Sequence, residues 1–357
     1  MRAWASQSVA EGYFRYTHRK VAVVSLLALL TFVVAVFAIN AGSAELSPAE
    51  VLLTLLGKAE ERLQIIVWGI RLPRVLAAIT AGVGLSVAGC VMQSILRNPL
   101  ASPFTLGVSQ GAAFGAAVAI VALGAGSTHS TSADAVIIDN PYLVTVCAFV
   151  GALATTLVVL LLAQVKGVTP EAMVLGGVAL GSLFSAATVI LQYFASEVQV
   201  ASVVFWTFGD IGRASWRDLG IMAVTVGGAL LYFLLNRWNY NALDSGEETA
   251  KGLGVEVEKV RLAGMFASSL VTAVVVSFLG IIGFVGLVGP HMMRRVLGND
   301  HRFLIPASSV MGGLLLLGAD TLARTAISPV VLPVGAITSF LGAPLFLYLL
   351  CKGRGRR

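Results

Sequence analysis

The charged residues with the most suggestive spacing lie in one polar stretch, residues 236–261, between two apolar runs that hold no charge. The stretch carries nine charged residues. Ser245 precedes Glu248 by three residues, which is the spacing of a capping box: the serine hydroxyl accepts from the glutamate N–H, and the carboxylate accepts from the serine N–H. Gly252 and Gly254 can end the same helix in a left-handed conformation. The pattern predicts a short helix at a membrane surface, which is either an ordinary solvated connection or a docking site for another protein.

No residue set in the sequence has the spacing of a catalytic or metal-binding site. A P-loop motif, a Ser/His/Asp set and a cluster of metal ligands are all absent from it. Cys90 and Cys147 fall inside apolar runs and Cys351 near the end of the chain, which indicates neither a disulfide framework nor a zinc site. His291 follows Pro290 in a glycine-rich segment and is interpreted as structural. The sequence therefore predicts no enzyme activity, no bound metal and no cofactor held by this chain.

One ionisable pair lies near the end of an apolar run. Asp320 and Arg324 are four residues apart, so they share a helix face, and an intrahelical salt bridge is predicted. The middles of the apolar runs carry no ionisable residue, whereas an ion-coupled carrier usually needs a buried carboxylate or histidine relay. An ion-coupled secondary transporter is thus an alternative that the sequence disfavours.

The composition is that of a membrane protein. Hydrophobic residues make up 57% of the 357 residues and charged residues only 12%, whereas a soluble domain has about 25% charged residues. The net charge of +6 comes from Lys and Arg residues at the ends of apolar runs, as membrane topology requires, so a nucleic-acid partner is not indicated. The sequence predicts a single all-α, multi-pass domain over residues 1–357, in contact with membrane lipid.

Ten apolar runs follow one another along the chain and predict about ten transmembrane helices. A simple span needs about 20 residues, and residues 281–293 form a run of only 13. Gly283, Gly286 and Gly289 lie three residues apart in that run, which predicts a short or broken helix packed closely against a neighbouring span. Residues 197–218 are predicted to be a mixed loop. The ten runs are 21–39, 75–96, 105–124, 142–163, 172–195, 219–235, 262–280, 281–293, 303–319 and 332–351.

A further surface helix is predicted between the first two runs. Ser47 and Glu50 have the capping-box spacing, and Pro48 occupies the first helical position. The helix is expected over residues 51–56, along the membrane surface.

The distribution of positive charge predicts the topology. Ten crossings place both termini on one side, and that side receives 17 of the 24 Lys and Arg residues. Because the side richer in positive charge is cytoplasmic, both termini, the N-terminal segment 1–20 and the segment 237–261 are expected in the cytoplasm.

Several short motifs follow one another along the chain. They are RLPR at 71–74, RNPLA at 97–101, LGVSQG at 106–111, GIIGFVGLVGPHMMR at 280–294, HR at 301–302, AD at 319–320, AR at 323–324, LPVG at 332–335 and LGAP at 341–344. Taken in this order, they resemble the motifs of the FecCD-type permeases, the membrane subunits of ABC importers for iron-siderophores, haem and vitamin B12. Each motif is weak alone, but their joint order is specific, and the resemblance covers residues 71–350. Residues 1–20 and 126–140 match no pattern of the family.

The resemblance implies a ten-helix subunit in the vitamin B12/iron-siderophore permease fold. It also implies an assembly, with a second copy of the permease or a paralogue, two cytoplasmic ATPase subunits that use ATP and Mg, and an extracytoplasmic substrate-binding protein. The ATPase would dock on the coupling segment, residues 237–261. The positions that match this site are Leu243, Ser245, Gly246, Glu247, Glu248, Gly252 and Gly254.

Two further residue sets acquire roles through the resemblance alone. Asn98, Leu100 and Thr169 match the cytoplasmic constriction and would act as a gate, while their local pattern is equally that of ordinary turns. Arg71, Arg74 and Arg324 match outward positions that meet acidic residues of the binding protein. Alternatively, these arginines extend to lipid headgroups, or Arg324 pairs with Asp320.

The resemblance implies a permease subunit of an ATP-binding-cassette importer at the cytoplasmic membrane. It would move an iron-siderophore, haem or cobalamin type substrate inward by alternating access, driven by its partner ATPases. The alternatives from other classes are the ion-coupled carrier and a membrane-embedded enzyme. No motif in the sequence names the substrate or distinguishes a homodimer from a heterodimer.

Overall fold

The computed structural model describes residues 2–42, 46–125, 140–166, 169–327 and 330–353. This part of the chain is helical apart from turns, loops and one isolated bridge between Ile327 and Val330, which confirms the all-α prediction. Its α-helices are α1 (Arg2–Asn40), α2 (Pro48–Leu55), α3 (Glu61–Gln64), α4 (Leu72–Ile95), α5 (Val108–Ala117), α6 (Pro141–Lys166), α7 (Pro170–Tyr193), α8 (Glu197–Thr207), α9 (Trp216–Leu235), α10 (Arg237–Asp244), α11 (Glu247–Gly252), α12 (Val257–Leu279), α13 (Val285–Leu297), α14 (His301–Thr325) and α15 (Val334–Gly353).

Each of the ten predicted runs contains a helix. In the described residues, seven helices are long and apolar enough to cross a membrane, and two shorter apolar helices span Val108–Ala122 and Val334–Tyr348. The remaining run overlaps α13, which has 13 residues and ends four residues beyond the run, at Leu297. About ten membrane helices are therefore confirmed, and the expected short helix is one of them. The π-helical turn Ile65–Arg71 joins α3 to α4 without a break.

Helix α4 lies at the centre of the bundle, where it packs against α9, α12, α13 and α14. Glycines allow two of these neighbours to approach its backbone closely. A Cβ atom on Gly82 would lie 2.3 Å from the carbonyl oxygen of Gly312 in α14, and one on Gly89 would lie 1.8 Å from that of Gly286 in α13. Backbone contact of this kind is the usual way in which membrane helices gain packing energy, because lipid supplies no hydrophobic driving force between them.

The predicted glycine stripe of the short helix is only partly correct. A Cβ atom on Gly289 would lie 2.4 Å from Ser86 Oγ, and one on Gly286 would lie 2.8 Å from a carbonyl oxygen of α4, so close packing is confirmed for these two. The prediction is wrong for Gly283, which precedes α13. The chain is not helical there, since Phe284 caps α13 in a left-handed conformation with φ of 65°.

Residues 197–218 are not simply a loop, because α8 occupies the first half of this range. The Ser196 hydroxyl accepts from the Gln199 N–H at 3.3 Å, and Gln199 Oε1 accepts from the Ser196 N–H at 3.0 Å. This capping box starts a helix that is too short to cross the membrane, and Val203 and Trp206 are buried against the bundle.

The helix predicted over residues 51–56 is present as α2, which begins three residues earlier, at Pro48. The Ser47 N–H donates to Glu50 Oε2 at 2.7 Å, and the Glu50 N–H donates to Ser47 Oγ at 3.2 Å. These two bonds satisfy backbone donors that an uncapped helix would leave without partners.

Candidate functional site

The polar stretch between α9 and α12 forms two short helices, α10 and α11, at the end of the bundle where α4 ends. We call this the α11 end. Leu243 and Ala250 are fully buried and fix the two helices to the bundle. Gly254 follows α11 with φ of 82°, which confirms its predicted left-handed conformation. Gly252 is instead the last residue of α11 and does not have a positive φ.

The predicted capping box between Ser245 and Glu248 is wrong. Ser245 closes α10 with helical torsion angles, and its hydroxyl donates to the Asn241 carbonyl oxygen at 3.3 Å. A capping serine needs an extended conformation, which α10 prevents by continuing up to Asp244. Gly246 therefore caps α11, with φ of 119°, and no side chain caps this helix. The Glu248 side chain is exposed.

Glu247 connects α11 to the core through a buried arginine. Arg261 Nη2 donates to Glu247 Oε2 at 2.9 Å, and Arg261 Nε donates to the carbonyl oxygen of Ile95 at 3.0 Å. The Arg261 side chain is 1% exposed and that of Glu247 31%. The hydrogen bond from Arg261 lowers the pKa of Glu247, with a smaller contribution from Lys251, whose Nζ lies 3.4 Å away. The glutamate is therefore a charged link between the surface helix and the last residue of α4.

A second set of contacts connects α10 to the same end of α4. Asn241 Oδ1 accepts from the His301 N–H at 2.8 Å and lies 3.0 Å from His301 Nδ1, while His301 Nε2 lies 2.8 Å from Ser94 Oγ. Because an amide oxygen only accepts, the proton of the neutral imidazole is on Nδ1 and Ser94 donates to Nε2. Asp244 Oδ2 lies 3.8 Å from His301 Nδ1, and burial raises the pKa of Asp244. This set of buried and partly buried side chains holds α10, α14 and α4 together.

The three predicted gate residues lie in turns at the α11 end. Asn98 Oδ1 accepts from the Leu100 N–H at 2.9 Å, and the Leu100 side chain is 45% exposed. Thr169 caps α7, accepting from the Ala172 N–H at 3.2 Å. Asn98 and Thr169 therefore make the ordinary turn contacts that their sequence pattern suggested, and the exposed Leu100 is the member of the set with a free apolar side chain.

At the opposite end, which we call the Asp320 end, a buried carboxylate joins α4 to α14. Asp320 is 0% exposed and accepts from Arg74 Nε at 3.0 Å and Arg74 Nη2 at 2.9 Å. It also accepts from Arg324 Nε at 3.1 Å, which confirms the predicted intrahelical pair. Asp210, whose side chain is 45% exposed, lies 3.6 Å from Arg74 Nη2. Sequence spacing predicted Arg324 as a partner of Asp320 but not Arg74.

The other two predicted docking arginines hold the last turn of α1. Arg71 Nη1 donates to the carbonyl oxygens of Ile39 and Asn40 at 2.7 and 2.8 Å, and Arg324 donates to those of Ala38 and Ala41. Both arginines are buried, at 5% and 9% exposed. Positive side chains at the C-terminal end of a helix satisfy carbonyls that have no partner within it and also favour the helix dipole. In this conformation Arg74 is the one of the three nearest to an exposed acidic group.

A partly polar cavity of about 500 Å³ lies beside the contact between α5 and α7. It is lined in part by Thr105, Gln110, Ser182 and Ser185, and the Gln110 Oε1 atom is buried without a protein hydrogen-bond partner. In the most apolar 18-residue stretch of α7, only 11% of the residues are buried within this chain. The α5–α7 surface therefore combines polar groups with a wide face that other molecules or lipid must cover.

Residues 29–352 match the model of the FecCD transport family. The matched range includes the α11 end and the Asp320 end of the bundle, with all helices from α2 to α14. The chain belongs to the FecCD transport family. It is accordingly a multi-pass membrane permease, as the motifs at 71–74, 97–101 and 280–294 implied.

Individual relatives of this FecCD permease support its place in the family. The chain is 53% identical over 344 residues to a protein of Methanocaldococcus jannaschii named as an ABC transporter permease, covering 96% of this chain and 98% of that protein. It is 42% identical to the cobalamin import permease BtuC of Halobacterium salinarum, covering 81% and 74%. It is 37% identical to the hemin transport permease HmuU of Yersinia pestis, covering 82% and 85%.

The fold also matches a solved structure of an inward-facing, metal-chelate type ABC transporter. The TM-score is 0.79 at 30% sequence identity, over 93% of this chain and 99% of the other. Because the match extends over nearly the whole length of both chains, this permease has a known transporter fold.

The site contains residues that the sequence analysis did not select. Arg261 was only the last residue of the polar stretch, and Asn241 and Ser94 were given no role. The available signal was weak: an arginine at the start of an apolar run is usually a lipid-facing end of a span. Only the packing of α12 against α4 turns Arg261 inward.

Proposed function

We propose that this FecCD permease is the transmembrane subunit of an ATP-driven importer that moves an iron chelate, haem or a cobalamin inward by alternating access. The observation that carries the proposal is the family match over residues 29–352. The relatives are named as permeases for hemin, cobalamin and Fe(3+)-citrate, all of which are metal chelates. The chain supplies a path and undergoes conformational change, and ATP and Mg are used by partner subunits.

The ATPase is proposed to dock on α11. Glu248 and Lys251 are exposed there, and Leu253 is 69% exposed at its end, so this surface offers both charges and an apolar contact. Ser245 and Gly246 shape the sharp turn before α11, and Gly254 the turn after it. The positive end of the helix dipole favours the carboxylates of Glu247 and Glu248 in the first turn of α11. The coupling segment, residues 237–261, is proposed to face the cytoplasm together with both termini, because 17 of the 24 Lys and Arg residues fall on that side.

The substrate path is proposed to lie between this permease and a second copy or a paralogue. The wide exposed face of α7 and the polar cavity beside it support this arrangement. Leu100, with Asn98 and Thr169, is proposed to close the path at the α11 end. An extracytoplasmic binding protein would deliver the substrate at the Asp320 end.

The function is tested by transport in proteoliposomes that contain the permease, its ATPase and its binding protein. We expect uptake of a labelled ferric siderophore, haem or cobalamin that requires ATP on the ATPase side and stops when the P-loop lysine of the ATPase is replaced. Uptake driven by an ion gradient without ATP would contradict the proposal in favour of a secondary carrier. Recovery of a chemically altered substrate would contradict it in favour of an enzyme.

The Arg71, Arg74 and Arg324 set is proposed to dock the binding protein, with Arg74 as the direct contact. A guanidinium can bind a carboxylate with two parallel hydrogen bonds, and charges at the rim of an interface mainly change the association rate. We expect Arg74→Glu to slow association of the binding protein about tenfold at low salt. Surface plasmon resonance on the purified complex measures the rate as a function of salt.

The matched control for Arg74 is Arg62→Glu, an equal charge reversal at an exposed position of α3. Because Arg74 also pairs with Asp320, Arg74→Gln is a second variant, which removes the Arg74 charge and leaves Asp320 paired with Arg324. If the association rates of Arg74→Glu and Arg62→Glu are equal, or if Arg74→Gln binds at the rate of the unchanged permease, Arg74 is not a docking contact.

A further inference from the structure

The Arg261 side chain joins the surface helix α11 to the end of α4. Its guanidinium donates from Nη2 to Glu247 at 2.9 Å and from Nε to the carbonyl oxygen of Ile95 at 3.0 Å. The guanidinium group is planar and rigid, so it holds these two oxygen atoms at a fixed separation. Since the side chain is 1% exposed, surrounding residues prevent it from swinging to another partner.

The contact at Ile95 leads directly to the proposed gate. Ile95 is the last residue of α4. The turn that follows stays bonded to the helix, because the Arg97 N–H donates to Ser94 O at 3.1 Å and the Asn98 N–H donates to Gln93 O at 3.0 Å. Asn98 in turn accepts from the Leu100 N–H at 2.9 Å. A displacement of the end of α4 must therefore move Asn98 and Leu100 with it.

A purely structural reason for this arrangement is weak. Burying an arginine removes its hydration, which its ion pair offsets only with excellent geometry, and an apolar residue at the same position would pack without that penalty. The Arg261 guanidinium, in contrast, is hydrogen-bonded both to a surface helix and to a carbonyl oxygen of the core, so a displacement of either one moves the other. If α11 touched the bundle only through Ala250, it could slide along the bundle. The two directional hydrogen bonds that the Arg261 guanidinium donates prevent such sliding.

We propose that Arg261 is a positioning residue that transmits displacement of α11 to the end of α4, and through it to the loop that carries Asn98 and Leu100. The inference rests on the proposed function, in which an ATPase moves α11. Arg261 touches no substrate in this role. Its partner Glu247 acts through it, while the exposed Glu248 serves contact with the ATPase.

The test compares Arg261→Met and Glu247→Gln with Arg295→Met in the reconstituted importer. Met keeps the length of the Arg261 side chain without its donors, and Glu247→Gln removes only the charge of a partly exposed group. Arg295→Met is the matched control, because it makes the same replacement at an exposed arginine in the last turn of α13, outside the proposed docking surface. We expect the first two variants to assemble and hydrolyse ATP, but to move about tenfold fewer substrate molecules per ATP. Arg295→Met should keep the ratio of the unchanged importer.

Two further measurements separate force transmission from stability. The double variant Arg261→Met with Glu247→Gln should move as many substrate molecules per ATP as Arg261→Met alone, because both changes break the same contact. A spin label at Leu100 in each of the two permeases of a homodimer, or at Leu100 and its counterpart in a paralogue, should report an ATP-dependent change in distance that both single variants lose. Unfolding temperatures of the variants identify any loss of folding, in which case Glu247→Gln alone decides.

The inference is overturned if Glu247→Gln keeps the transport ratio and the distance change, or if hydrolysis and transport fall in equal proportion in both variants. Failure of the proposed function has a different result, since the unchanged complex would then show no ATP-dependent uptake at all.

Discussion

Replacing Gly312 by alanine should prevent α14 from packing against α4, while the same replacement at Gly318, in the same helix, should be neutral or slightly stabilising. A Cβ atom on Gly312 would lie 2.2 Å from Ser86 Cβ and 2.3 Å from the carbonyl oxygen of Gly82. Neither neighbour is the flexible end of a side chain, so α4 and α14 would have to separate. Overpacking a core costs about 1–3 kcal/mol even where side chains adjust, and we expect more here because backbone must move.

Gly318 makes the comparison strict, because a Cβ atom there would meet nothing within 4 Å. Alanine is favoured over glycine inside a helix by about 1 kcal/mol, so the two variants are expected to differ in sign. The yield of folded permease in detergent and its unfolding temperature measure both. Equal unfolding temperatures for the two variants would show that α4 and α14 are not in backbone contact.

Replacing Asp320 by asparagine should be the most damaging change of a single charge in the described part of the chain. The carboxylate is fully buried and accepts from both Arg74 and Arg324. The amide has one oxygen and directs its own donors toward two cations, which leaves buried positive charge without compensation. Removing one partner of a buried ion pair costs about 3–5 kcal/mol. Because Arg324 also holds the end of α1, loosening of that helix should accompany the loss.

Asp210→Asn is the matched control, since its carboxylate also faces Arg74, at 3.6 Å, but is 45% exposed. Asparagine retains the oxygen that accepts from the Gly212 N–H, and an exposed ion pair contributes about 0–1 kcal/mol. Thermal unfolding in detergent, with protease accessibility of the α1–α2 connection, measures both effects. A loss of stability in Asp320→Asn no larger than that in Asp210→Asn would contradict a buried junction at this end of the bundle.

The features that the sequence predicted correctly depend on residues near one another in the chain. The ten apolar runs are helices because the length and hydrophobicity of a run are properties of that run alone. The pair Asp320 and Arg324 was predictable because four residues separate two neighbours on any helix. The capping box of α2 was predictable for the same reason. Family motifs, read in order, added the transporter fold.

One local prediction failed because of what lies next to it. Ser245 and Glu248 have the spacing of a capping box, but α10 continues up to Asp244 and holds Ser245 in a helical conformation. Spacing describes which groups can reach each other, and it does not determine the torsion angles that a neighbouring element imposes. Gly246, which tolerates φ of 119°, takes the capping position instead.

The sequence by itself determined the class of this protein, its number of membrane helices and its family, because these follow from composition, local periodicity and motif order. Only the tertiary structure decided which charges meet. Arg74 and Asp320 are separated by 246 positions in the chain, and Arg261 and Ile95 by 166. Such partners are chosen by how helices pack around α4, where a buried charge must find an opposite charge or a carbonyl. No spacing rule along the chain contains that information.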